Sequence, residues 1–99
     1  MRQGTTPRHT FTLPFETSIV KKVRVLYAQG GTLKIVKKEN EAEMSGNTIS
    51  VRLTQAETLC LNPKFKTDIQ VRVLTETNDS LASEIFSVDT ERCLSKEVL

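Results

Sequence analysis

The stretch Thr48-Ile49-Ser50-Val51-Arg52-Leu53-Thr54-Gln55-Ala56-Glu57-Thr58-Leu59-Cys60-Leu61 begins with a period of two and then breaks it. Ile49, Val51 and Leu53 fall on one side of an extended chain, with Ser50 and Arg52 on the other, which is the signature of a half-buried strand. Thr54-Gln55-Ala56-Glu57 then fits a capping box. The Thr54 hydroxyl can accept from the backbone N–H three residues on, while the Glu57 carboxylate reaches back to the N–H of Thr54. A helix starting there cannot run far, because Asn62-Pro63 closes it. The stretch therefore predicts a strand, one short helical turn near residues 54–60, and a loop, with Leu59 and Leu61 dropping into the end of the core.

The same alternation recurs on both sides. Phe11, Leu13 and Phe15 share a face, and Pro14, which has no N–H, confines that strand to an edge or ends it. Val23, Val25 and Tyr27 point one way from the run 19–29. Gly30-Gly31 separates this run from Thr32–Lys38 as a hairpin would, since tight primed turns demand the positive φ that glycine supplies. Ser45-Gly46-Asn47 marks another turn before Thr48. Beyond the corner, Ile69, Val71 and Val73 alternate with Asp68, Gln70 and Arg72 in the clearest strand of the chain. Thr77–Ser80 turns into a last strand over Leu81–Thr90, in which Ile85 and Phe86 compete for the inward side. About seven short strands, a turn roughly every ten residues and one helical turn predict an all-β fold, an antiparallel immunoglobulin-like β-sandwich. A small barrel is the alternative.

Ninety-nine residues form one domain, with its core at about residues 9–90 and arms at 1–8 and 91–99. No apolar run reaches the roughly 20 residues of a membrane helix. Met1–Pro7 has no apolar segment of a secretory signal, so a cytoplasmic chain is expected. Net charge is +2, but it is unevenly spread. Residues 1–38 hold eight of the 14 Lys/Arg and one Glu, and residues 39–99 hold the other 11 of the 12 acids. In a sandwich early and late strands interleave, and the two signs should mix in space.

Residues able to do chemistry are few. A Cys60 nucleophile would need a base beside it. His9, the only histidine, lies at the start of the first strand, and Cys60 sits between two leucines. Cys60 is thus expected to be buried and inert, and Cys60 and Cys93 to stay reduced without an export signal. One histidine cannot build a metal site. Glu39, Glu41 and Glu43 would share one face of an extended strand, yet they lack the loop pattern that wraps Ca²⁺. Lys21, Lys22, Arg24, Lys34, Lys37 and Lys38 fall on the 21–38 hairpin and could contact phosphates. Nucleic-acid modules interleave aromatics for stacking, and the only aromatic nearby, Tyr27, faces inward. No phosphate loop, Ser/His/Asp set or zinc motif is present. The residues predict a non-enzymatic protein without cofactor or metal.

Three segments together carry a resemblance over nearly the whole chain: Met1–Pro7 with His9-Thr10-Phe11, the Leu53–Leu59 corner, and Ile69–Leu74 followed by Leu81-Ala82-Ser83. With the ending Cys93-Leu94 and Glu97-Val98-Leu99, they resemble small hypothetical proteins of phages and prophages of Gram-positive bacteria. A weaker likeness is to the immunoglobulin-like N-terminal domain of phage baseplate upper proteins. The resemblance implies a structural or assembly part of a tail, baseplate or head, present in the host cytoplasm during assembly and in the virion. It would act through protein contacts, as a homo-oligomer, by strand addition or by docking of the tail through Leu94, Val98 and Leu99. The alternative is a small cytoplasmic module that binds nucleic acid or a host protein through the 21–38 hairpin.

Overall fold

A computed structural model describes all 99 residues. Eight strands form two antiparallel sheets: β1 (Arg8–Thr12), β2 (Val20–Gln29), β3 (Thr32–Lys38), β4 (Ala42–Ser45), β5 (Thr48–Arg52), β6 (Thr67–Thr75), β7 (Ser80–Ala82) and β8 (Phe86–Val88). The smaller sheet has the order β1-β5-β4. The larger runs β3-β2-β6, and β7 and β8 both pair with the far edge of β6. One helix, α1 (Gln55–Leu59), links β5 to β6, and single 3-10 turns lie at Thr17–Ile19 and Glu39–Glu41.

The core follows from the alternation. Val23, Val25 and Tyr27 of β2 stand directly beside Val73, Val71 and Ile69 of β6. Facing them from the smaller sheet are Ile49 and Val51, and Leu53 and Leu61 close the end; all these residues are buried. Gly30 and Gly31 both adopt positive φ, the requirement of the two-residue turn between β2 and β3. At the corner the capping box is closed: Glu57 N–H donates to Thr54 Oγ1 at 3.1 Å, and Thr54 N–H donates to Glu57 Oε1 at 2.8 Å. Thr58, buried on the inner side of α1, donates from its hydroxyl to the Thr5 carbonyl at 2.9 Å and so ties the N-terminal arm down.

The structure corrects four expectations. The single last strand is two. Ser83 interrupts it, its N–H donating to the Val71 carbonyl while its hydroxyl accepts from the Val71 N–H at 3.0 Å. The chain bends there, so neither Ile85 nor Phe86 enters the core, and Val88 is the half-buried residue. Cys60 is exposed rather than buried, because α1 ends at Leu59 and Leu61 takes the inward place; both cysteines are free. Glu39, Glu41 and Glu43 do not share a strand face. Glu39 and Glu41 lie in the 3-10 turn and Glu43 in β4, and the three carboxylates meet different bases: Arg24, Lys37 and Arg8. Finally, Leu61 packs in the core but Leu59 is only half-buried.

Candidate interaction surfaces

Lys37 is the residue whose role changes most. It lies on the inward side of β3 two residues from Ile35, only 6% exposed, and makes ion pairs with Glu57 at 2.7 Å and Glu41 at 3.6 Å. It is therefore not part of a basic surface. Burial pushes Glu57 up, but the Lys37 ammonium and the Thr54 N–H and hydroxyl outweigh that and hold its carboxyl below the usual range. Next to this pair lies Tyr27, whose phenol is pushed well up by burial and by the charge on Glu57. Its hydroxyl is 2.7 Å from His9 Nδ1, and burial lowers the His9 pKa. The phenol thus keeps its proton, and the two groups share a hydrogen bond whose direction follows the imidazole tautomer. The cluster is a satisfied polar seam between the sheets, and His9 and Cys60 are not brought together in it.

The remaining hairpin cations sort by register. Arg24 is directly opposite Lys38 on β3 and Arg72 on β6, so three cations stand in one row across the outer face of the larger sheet. Lys22 lies one step along β2, opposite Leu74. Lys21 and Lys34 sit where the register shifts, at bulges, and are exposed. Of the row only Arg24 has a carboxylate, Glu39 Oε2 at 2.6 Å. The Glu39 carboxyl is held below its ordinary range by its own backbone N–H and that of Val23, with Arg24 adding to the effect. Arg72 was missed by reading the hairpin alone. Its outward position was legible from alternation, but its place beside β2 was not.

On one flank the two sheets do not close. The free edge of β1 and the short, interrupted β7–β8 edge border an apolar groove made of two adjoining hollows of about 280 and 210 Å³. Phe11, Leu13, Phe15, Val71, Leu81 and Phe86 line it, and no ionisable side chain does. The C-terminal tail lies elsewhere, on α1. Leu99 N–H donates to Gln55 Oε1 at 2.7 Å and Gln55 Nε2 donates to the Leu99 carbonyl at 3.2 Å. These contacts leave the side chains of Leu94 and Leu99 93% exposed and that of Val98 57% exposed.

No protein-family model matches the sequence, and no curated protein matches it. Among solved structures, the fold is similar to the immunoglobulin-like domain of mouse leukocyte-associated immunoglobulin-like receptor 1, described as a strand-swapped dimer. The TM-score is 0.56 at 12% identity over 91% of this chain and 83% of that one. A second structure, of the same receptor's extracellular domain and also a strand-swapped dimer, gives 0.55 at 12% identity with the same coverage. The fold is an immunoglobulin-like β-sandwich. No helix is long and apolar enough to cross a membrane.

Proposed function

We propose that this chain is a non-enzymatic structural or assembly part of a phage or prophage particle, acting by protein–protein contact and self-associating through its open flank. The resemblance of the Met1–Phe11, Leu53–Leu59 and Ile69–Ser83 segments supports the phage setting, and with it the host cytoplasm during assembly and the virion afterwards. The groove between β1 and β7–β8 is the observation that carries the mode of action. An unpaired strand edge exposes backbone donors and acceptors that natural sheets normally cover. Here two such edges flank an uncharged apolar trough, the arrangement in which an added strand gains both ladder bonds and side-chain pockets. The similar receptor domain is described as a strand-swapped dimer, and an immunoglobulin-like layout with open edges is suited to the same kind of exchange.

Leu81 lies on the groove and is 44% exposed, so it can be changed without emptying the core. Light scattering across concentration should show a homo-oligomer for the wild type and a monomer of unchanged melting temperature for Leu81→Glu. Mass spectrometry of particles from an induced host should find the chain in stoichiometric amount. A wild-type monomer at all concentrations, absent from particles, would remove the proposal.

A further inference from the structure

The outer face of the larger sheet presents a second surface, chemically unlike the groove. Lys38, Arg24 and Arg72 lie directly opposite one another on three adjacent strands. Like charges in that position are destabilising, and Lys22, Lys38 and Arg72 make no ion pair. Lys22, Arg24, Arg72 and Ser80, with Val73 and Leu74, border an open hollow of about 210 Å³ in this row. Immediately beyond it the β2–β3 part of the same face turns aliphatic. Leu26 stands beside Val36, Ala28 beside Leu33, and Ile85 joins them from the β7–β8 bend around a hollow of about 190 Å³. Gln70 and Asp68 of β6 complete this hollow, the Asp68 carboxylate already accepting from the Ser87 hydroxyl. Leu33 and Ile85 are 53% and 62% exposed. An aliphatic centre bordered by unpaired charge is the composition of a contact surface.

We infer that this face docks a partner protein whose surface carries carboxylates beside aliphatic side chains. The carboxylates would neutralise the Lys38–Arg24–Arg72 row, and the aliphatic groups would cover Leu26, Leu33 and Ile85. Charge complementarity chooses the sign. The absence of any aromatic ring among the residues lining either hollow argues against single-stranded nucleic acid, which is held by stacking. The exposed Leu33 and Ile85 beside the cations choose protein over a duplex, whose phosphates would leave them uncovered. The inference rests on the reading of the chain as a contact module. Leu81→Glu alters the flank and leaves this face intact, so a failure of self-association and a failure here are separable.

The test is a ¹⁵N–¹H titration of the Leu81→Glu protein with three probes: a 12-residue peptide alternating Glu and Leu/Val, the same peptide with Gln for Glu, and a 12-base-pair DNA duplex. The acidic peptide should shift the amides of Arg24, Leu26, Val36 and Arg72 saturably and bind at least tenfold more tightly than the Gln peptide and the DNA. Lys38→Glu with Arg72→Glu, both exposed, should abolish these shifts while leaving the rest of the spectrum in place. Equal binding of the Glu and Gln peptides, tighter binding of DNA at the same amides, or no shift on this face at millimolar peptide would each overturn the inference.

Discussion

Lys37 shows what one residue can hide. Its ammonium is taken out of water beside the half-buried Glu57, and removing one member of a buried pair leaves the other uncompensated. Glu57 keeps some contact with solvent, so the loss should fall below that of a fully buried pair. Lys37→Ala is expected to cost about 2 kcal/mol in urea unfolding. Lys37→Met with Glu57→Gln should recover most of it, because the amide can still cap Thr54 and the carboxylate that loses its partner, Glu41, is 43% exposed to solvent. The same seam sets the acid response. The folded His9 pKa lies below its ordinary 6.5, so the unfolded chain binds that proton first, and stability is lost as pH falls from that ordinary value toward the folded one. Glu57 is held below 4.5, so its contribution is present above that value and is lost as pH falls through the lowered one. Urea midpoints should therefore decline in two stages on acidification. His9→Gln, whose amide can donate to or accept from the Tyr27 hydroxyl, should remove only the upper stage; an unchanged upper stage would show that His9 is not its source.

At the scale of elements, the corner after β5 is held by a local device. Thr54→Ala removes the side-chain acceptor for the Glu57 N–H and should lower stability by about 1 kcal/mol, while Thr54→Ser should be close to neutral. Equal losses for both would mean that the threonine methyl matters more than the cap. This device was legible because all its partners lie within four residues. The inward triplets of β2 and β6 and the inward pair of β5 were legible for the same reason: period two is a local property. The division of the last strand was not, because Ser83 bends the chain through bonds to Val71, twelve residues away on another strand. Nor was the place of Lys37, whose partner Glu57 belongs to a helix beyond the next two strands. The hairpin is legible in its own residues, but a cationic surface is decided by which strand comes next. Pairing brought Arg72 beside Arg24, and alternation alone could not say so.

At the scale of the whole molecule, the two oppositely charged parts of the sequence do mix. Arg8 meets Glu43, Arg24 meets Glu39, and Lys37 meets Glu57; the unpaired members of the outer row are what is left over. The arms, expected at the chain's margins, are instead fastened to each other. Gln3 N–H donates to the Glu91 carbonyl and Glu91 N–H to the Met1 carbonyl, a parallel bridge between the two ends of the domain. The Gln3 side chain, 1% exposed, donates to the Leu61 carbonyl at 2.6 Å and accepts from the Cys93 N–H at 3.1 Å and from Lys96 Nζ at 3.0 Å. One amide thus joins the first residues, the corner after α1 and the last segment. These contacts lie outside the β2–β6 core and should open separately from it, as segments with few apolar contacts do. Gln3→Ala is expected to speed hydrogen exchange at Cys93 by about tenfold, the equivalent of about 1.4 kcal/mol in local opening. The slowest amides of Val25 and Val71 should keep their rates, and the global loss should be smaller than the local one. If those core amides accelerate by the same factor as Cys93, the ends are part of the cooperative unit, and truncation of either arm would weaken the whole sandwich rather than free a segment for contact.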